Sequence, residues 1–420
     1  MYEDFSDYET ASTESLLATA NGLAKIPVLV FFARTSFQSC IRIPMTAIEL
    51  RDLFRTVFQP RPTDHVLTVL VDIPDAHTPD TAHWQERRAL AYDWWVKSIS
   101  FKHDLDLDRV ELFCYRNVGS NNNDLPATLY RWGGSPEHLD ADTLERDGIA
   151  VPLTEVMDAT DLIIALTEFS ATAPCKMLAK THNFRGTTMP GFVNAMLPSL
   201  SLDYGRVHAR IMAIKTRLDA AVREVITLSA RGVSYTLDCD LRNRTATASS
   251  GMFHDDNVVG NLPSGEAYIV PWEGEDSTTA GRMPVQFGDE IVVYRIEANR
   301  AIEVVSEGPV SDSERAKLID EPAYGNIAEL GHGVLGEFGC TAVGNLLMDE
   351  KLGLHIAFGR SEHFGGSVSP ASFRDPKKVI HIDRVYVPSL QPDITVTEVV
   401  LHYPDGSTEL LMRDGAWMID

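Results

Sequence analysis

The stretch that decides the fold is Pro60–Asp72, PRPTDHVLTVLVD. A proline-rich turn gives way to seven successive residues, Val66 to Asp72, that are apolar or β-branched up to the final acid. An unbroken apolar run of that length suits a strand covered on both faces, as in a parallel sheet, and not the alternating pattern of a half-solvated strand. On its N-terminal side Ala47 to Phe58 carries helical spacing. On its C-terminal side come an amphipathic stretch around Trp84 to Ile99 and further apolar strands at Val110–Tyr115 and Leu162–Leu166. Strands alternating with helices predict a doubly wound α/β domain. A long helix follows, with Val207, Ile211, Ile214, Leu218, Val222 and Val225 as its buried stripe.

From about Gly232 the pattern changes to short strands and turns, in VSYTLDCDL, EIVVYRIE and RAIEVVSEG. The chain closes with a hairpin, ITVTEVVLHY and STELLMR, around the turn Pro404-Asp405-Gly406. The expected architecture is therefore α/β, with an N-terminal doubly wound α/β domain and a C-terminal β-rich α+β metal-binding domain. Its divisions are an N-terminal extension over 1–60, the α/β domain over 61–230 and the β-rich catalytic domain over 231–420. Within the extension, an acidic arm leads to a predicted strand at Ile26–Phe32.

Sixty Asp and Glu against 37 Lys and Arg leave a net charge of -23 over 420 residues, which repels phosphate backbones and anionic bilayers. Nucleic acid and membrane are accordingly not the expected partners. The five cysteines are odd in number and never form a Cys-x-x-Cys pair, which argues against a disulfide framework. With an acidic N-terminus and no long apolar run, the cytoplasm is the expected compartment.

The chemistry concentrates in four segments of the second half. GNLPSGEAYIVPWEG places Glu266 at the mouth of a strand, and NIAELGHGVLGEFG sets Glu329 and His332 among small residues that admit close approach. MDEKLGLHIAFG buries His355 in an apolar stretch, where a single histidine is more often part of a core. In KKVIHIDRVYV, His381 and Asp383 are two apart on a strand, so both leave one face about 7 Å apart along the backbone. That makes a metal clamp, and a buried His–Asp hydrogen-bonded pair is the competing reading. Three carboxylates and two imidazoles in one apolar region would repel and desolvate each other without a cation. Two divalent ions, zinc, cobalt or manganese, would offset the three negative charges, and a mixed nitrogen and oxygen set suits such ions.

These segments resemble the metallo-aminopeptidases of the aminopeptidase T and aminopeptidase S type, on NLPSGEAYIVPWEG, NIAELGHG, DEKLGLHIAFG with the following FGG, and HID. The spacings of 63, 26 and 26 residues between Glu266, Glu329, His355 and His381 are similar too. The resemblance runs over residues 60–420, through DATDLIIAL and FRGTTMPGF. It implies two metal ions held by Glu266, Glu329, His355, His381 and Asp383, a peptide or amide substrate, and a homodimer. The family carries a tyrosine seven residues after the His355 position. Here Glu362 stands there with His363 beside it, and Leu354 replaces the family's threonine. Glu266, Glu329, Glu362 and His363 are the expected catalytic residues, with Glu337, Glu350 or Glu362 available as a proton shuttle. The opening LFRTVF…DHVLTVLVD also resembles the 2,5-dihydroxypyridine dioxygenases. That kinship implies one Fe(II) held by His381, Asp383 and either His332 or His355. A degenerate, non-catalytic family member is the third reading.

Overall fold

In the computed structural model, the described residues are 45–375 and 378–419; the predicted strand at Ile26–Phe32 lies outside them. The Val66–Ile73 strand is buried along its whole length and pairs in parallel with Arg109–Arg116 on one side and Leu162–Ala165 on the other. Its alternate residues serve two cores. Val69 and Val71 pack with Phe54, Trp94 and the helices Ala47–Phe58 and Ala82–Phe101, while Leu70 packs with Cys175 and Ala179 of the helix Thr172–His182. Coverage on both faces is the physical reason the run carries no polar alternation.

Seven strands form this sheet, in the order Val259–Asn261, Arg185–Thr188, Leu162–Ala165, Val66–Ile73, Arg109–Arg116, Thr128–Arg131, Ile149–Pro152. The first five run parallel and the last two are added antiparallel at one edge. The edge strand Val259–Asn261 comes from far downstream of the others, so the chain returns to this sheet just before it reaches Glu266. The fold is α/β with further sheets, as the alternation predicted. The long helix is shorter than its stripe suggested: it spans Tyr204–Ala220. Val222 instead donates its N–H to His402, and Val225 lies on the strand Arg223–Ala230. The β-branched residues there alternate in burial with period two, and sheet pairing captures them.

The second half builds two antiparallel sheets. An eight-stranded sheet runs Arg300–Val304, Glu290–Glu297, Ala280–Phe287, Val233–Asp240, Arg223–Ala230, Ile394–His402, Thr408–Arg413, Ala416–Trp417. The hairpin at Pro404–Gly406 lies within it as expected. A five-stranded sheet runs His381–Val385, Leu354–Gly359, Ile327–Gly333, Glu266–Ile269, Thr247–Ser249. The two sheets share one core, and Tyr386 and Trp417 donate hydrogen bonds between them, to the carbonyls of Pro284 and Gly333. Among the described residues no helix is long and apolar enough to cross a membrane. Cys114, Cys175, Cys239 and Cys340 are all unpaired thiols.

Candidate metal centre

Four neighbouring strands of the five-stranded sheet carry all five residues of the expected ligand set. Residues directly opposite each other on paired strands share a face. Glu266 is opposite Gly333, Gly331 is opposite His355, Glu329 is opposite Ala357, Ala357 is opposite Asp383, and Gly359 is opposite His381. Register thus puts Glu266, Glu329, His355, His381 and Asp383 on one face. The positions between them on that face are Gly331, Gly333, Ala357 and Gly359. Small residues leave the room that the longer side chains fill: a Cβ on Gly331 would fall inside the His355 imidazole. A bulge between Ile327 and Glu329 adjusts the strand next to the central carboxylate.

The donor atoms converge. His355 Nε2 is 3.5 Å from Glu266 Oε2, 3.5 Å from Glu329 Oε1 and 3.9 Å from Asp383 Oδ1. His381 Nε2 is 3.1 Å from Glu329 Oε2 and 3.6 Å from Asp383 Oδ1. Two groups of donors arise, Glu266–Glu329–His355 and Glu329–His381–Asp383, sharing Glu329. His381 Nδ1 donates to the Arg360 carbonyl at 2.9 Å, which fixes its tautomer and turns Nε2 toward the carboxylates. The His355 and Glu329 side chains are 1% and 4% exposed.

The electrostatics follow from burial opposed by pairing. Burial alone would raise the Glu329 carboxyl, but hydrogen bonds from His355 and His381 outweigh it and hold it well below the usual range. Burial would lower His355, but Glu329, Glu266 and Asp383 raise it to about 9. His381 is likewise raised, by Asp383 and Glu329 against burial. Left to themselves, the acids hold protons on both imidazoles. A cation would take over that role.

Donor separations of 3.1–3.9 Å match the edges of a coordination shell with bonds of roughly 2.0–2.2 Å. Glu266 Oε2 is buried and accepts no hydrogen bond. On both counts the donor set fits a divalent ion.

The structure separates the remaining expected residues. His332 is not part of the cluster. It lies three residues from Glu329 on the same strand and so faces the opposite side, where its Nε2 meets Glu224 Oε1 at 2.9 Å and its Nδ1 meets the Ala267 carbonyl at 3.2 Å. Glu362 turns outward and pairs with Arg360 at 2.7 Å, half exposed. Glu337 pairs with Arg210. His363 does reach the site: its ring lies 5.2 Å from that of His381 and 4.0 Å from that of Phe364. His363 itself is exposed at the rim of the site, and desolvation, then His381 and Arg360, push its imidazole down. Phe364 stacks between His381 and Tyr268, 4.9 Å from each, and closes one side.

Two features were not assigned from sequence. Lys351, within the segment that carries His355, is buried and donates to Glu266 Oε1 at 2.7 Å while pairing with Glu350. A lysine between an acid and an apolar run was the available signal. Glu273, at the end of the segment that carries Glu266, gathers the loop over the site: it accepts from Ser361 Oγ at 2.6 Å, Asn326 Nδ2 at 2.8 Å and Ser367 Oγ at 2.9 Å. Gly366 belongs to this clamp, because a Cβ there would collide with the Ser361 side chain.

No family model and no curated protein matches the chain. Solved structures are similar to it, two of them as follows. One is 2,5-dihydroxypyridine dioxygenase from Pseudomonas putida KT2440, at a TM-score of 0.56 and 15% identity, covering 89% of this chain and 98% of that one. The other is wild-type AmpT from Thermus thermophilus, a metallo-aminopeptidase, at a TM-score of 0.51 and 14% identity, covering 89% of this chain and 99% of that one. At such identities the kinship is one of fold, and it extends over nearly the whole length of both.

Proposed function

We propose that the chain is a metal-dependent hydrolase acting on a peptide or amide bond in a small molecule or short peptide. The observation that carries this reading is the convergence of three carboxylates and two imidazoles on one sheet face, with Glu329 shared between two donor groups. A bound divalent ion supplies a water of lowered pKa and polarises a carbonyl oxygen. The chain's own residues do the rest. Glu266, Glu329, His355, His381 and Asp383 line the metal centre, and the Arg360 carbonyl orients His381. Glu350, paired with Lys351 beside the ligand carboxylates, is the acid suited to move a proton: burial first, and then Glu266 and Asp383, raise it against the pull of Lys351. His363, at the exposed rim beside His381, takes the part of the aromatic hydroxyl that the aminopeptidases place nearby. Phe364 and Tyr268 exclude water on that side.

A second reading has its own observation. Both imidazoles face the same atom, Asp383 Oδ1, at 3.9 and 3.6 Å, which is the donor pattern of a one-iron oxygenase with two histidines and a carboxylate. The similarity of fold to a ring-cleaving dioxygenase supports it equally.

Elemental analysis of protein purified without added metal, followed by two assays, tests both. Hydrolysis of aminoacyl and peptidyl anilides with zinc, cobalt or manganese supports the first reading. Oxygen uptake with a dihydroxylated aromatic and Fe(II) supports the second. A chain that retains no metal, and whose melting EDTA leaves unchanged, sinks both.

A further inference from the structure

Lys351 makes the two ends of the cluster unlike. At the Glu266 end its ammonium is 2.7 Å from Glu266 Oε1 and pairs with Glu350, with a side chain only 2% exposed. At the other end Glu329, His381 and Asp383 meet only imidazoles: among the described residues, no lysine or arginine forms an ion pair with Glu329 or Asp383. The placement of Lys351 is built into the sheet. Gly333 is directly opposite Glu266, and a Cβ on Gly333 would collide with the Lys351 backbone. Glycine there lets the segment bearing Lys351 cross the sheet face beside the Glu266 carboxylate.

A second ion, roughly 3.5–4 Å from the first as in two-metal sites, would have to share Glu266 with this ammonium. Two cations that close in a buried site repel each other strongly. The ammonium cannot withdraw to water without leaving Glu350 and Glu266 unpaired. With Lys351 in place, two divalent ions would bring five positive charges against the four carboxylates Glu266, Glu329, Asp383 and Glu350, whereas one brings three.

We propose that Lys351 takes the place of a second metal ion, so that the centre binds one divalent ion at the Glu329–His381–Asp383 end, with His355 facing it and Glu266 held by the lysine. This rests on the metal reading above and goes further, by fixing the number of ions and giving a role to a residue outside the ligand set.

The test is stoichiometry on the full chain, stripped and reloaded with Co(II) or Zn(II), desalted and measured by elemental analysis. Wild type is expected at one equivalent, with a single break in the Co(II) absorption titration. Lys351→Met, which keeps the length and removes the charge, is expected to take a second equivalent, and Lys351→Arg to stay at one. Two equivalents in wild type, or one in a folded Lys351→Met, overturns the proposal. Should Lys351→Met fail to fold, the break point in wild type decides alone: one equivalent supports the proposal and two overturns it. Wild type binding none would instead refute the metal reading itself.

Discussion

Gly331 stands directly opposite His355 on the neighbouring strand, and the imidazole fills the space a side chain on Gly331 would need. The glycine in ELGHG is thus part of the site without offering a donor. Gly331→Ala is expected to displace His355 and lower metal affinity by an order of magnitude or more, in line with a ligand forced out of position. Isothermal titration with Zn(II) measures this. Unchanged affinity in a folded variant would mean that His355 does not hold the ion.

His332 predicts the opposite pattern. It and Glu224 are fully buried, bonded to each other, and packed against Trp417 with ring centroids 5.5 Å apart. Because a carbonyl oxygen only accepts, Nδ1 must donate to Ala267, and the contact between Nε2 and Glu224 Oε1 needs a further proton between ring and carboxyl group. Removing one member of such a buried pair costs about 3–5 kcal/mol. His332→Asn should therefore lower the melting temperature markedly and leave metal stoichiometry unchanged, whereas His381→Ala should leave the fold and lose the metal. A His332→Asn protein that folds but binds no metal would contradict the assignment.

Asp72 closes the strand with which the sequence reading began. It is fully buried and accepts N–H groups from Trp84, Glu168 and Phe169 at 2.8–3.0 Å. Burial nevertheless raises its carboxyl from 3.8 to about 6, against those N–H groups and Arg87. A folded-state value above the unfolded one gives a contribution present in full below the unfolded value and lost as pH rises through the folded one. The difference is on the order of 3 kcal/mol. Urea unfolding of metal-free protein between about pH 4 and about pH 7 should show this loss, and Asp72→Asn should flatten it. If the variant keeps the wild-type slope, another group is responsible.

Glu273 ties the loop that carries His363 and Phe364, and Arg244 adds a hydrogen bond to the Gly365 carbonyl at 2.7 Å. In Glu273→Ala the anchors to Ser361 and Ser367 are lost, the Arg244 bond remains and the cores are untouched. Proteolysis within residues 361–368 should accelerate several-fold, with the melting temperature shifting by only a few degrees, as for local opening. A cleavage rate equal to wild type would show that the loop is held by other contacts.

The site was legible in uneven portions. His381 and Asp383 could be placed on one face by their spacing, and the same alternation applied to Glu329 and His332 puts them on opposite faces. His355 was ambiguous, because an apolar neighbourhood suits a core histidine as well as a ligand. Glu362 was expected at the site from its position in the chain. A three-residue helical turn at Glu362–Phe364 instead points it outward and brings the rings of His363, itself exposed, and Phe364 up to His381.

What the sequence determined by itself was local: which runs become strands covered on both faces, which side chains share a strand face, and where glycine opens space. These follow from the period of the backbone and from burial, both of which act within a few residues. The tertiary structure alone decided which strands are neighbours, and with them the meeting of Glu266 with Lys351, of His332 with Glu224 and of Glu273 with the loop at Ser361. Those pairs lie 85, 108 and 88 residues apart in the chain. Their contacts come from sheet order and register, set by the fit of whole faces rather than by any local pattern.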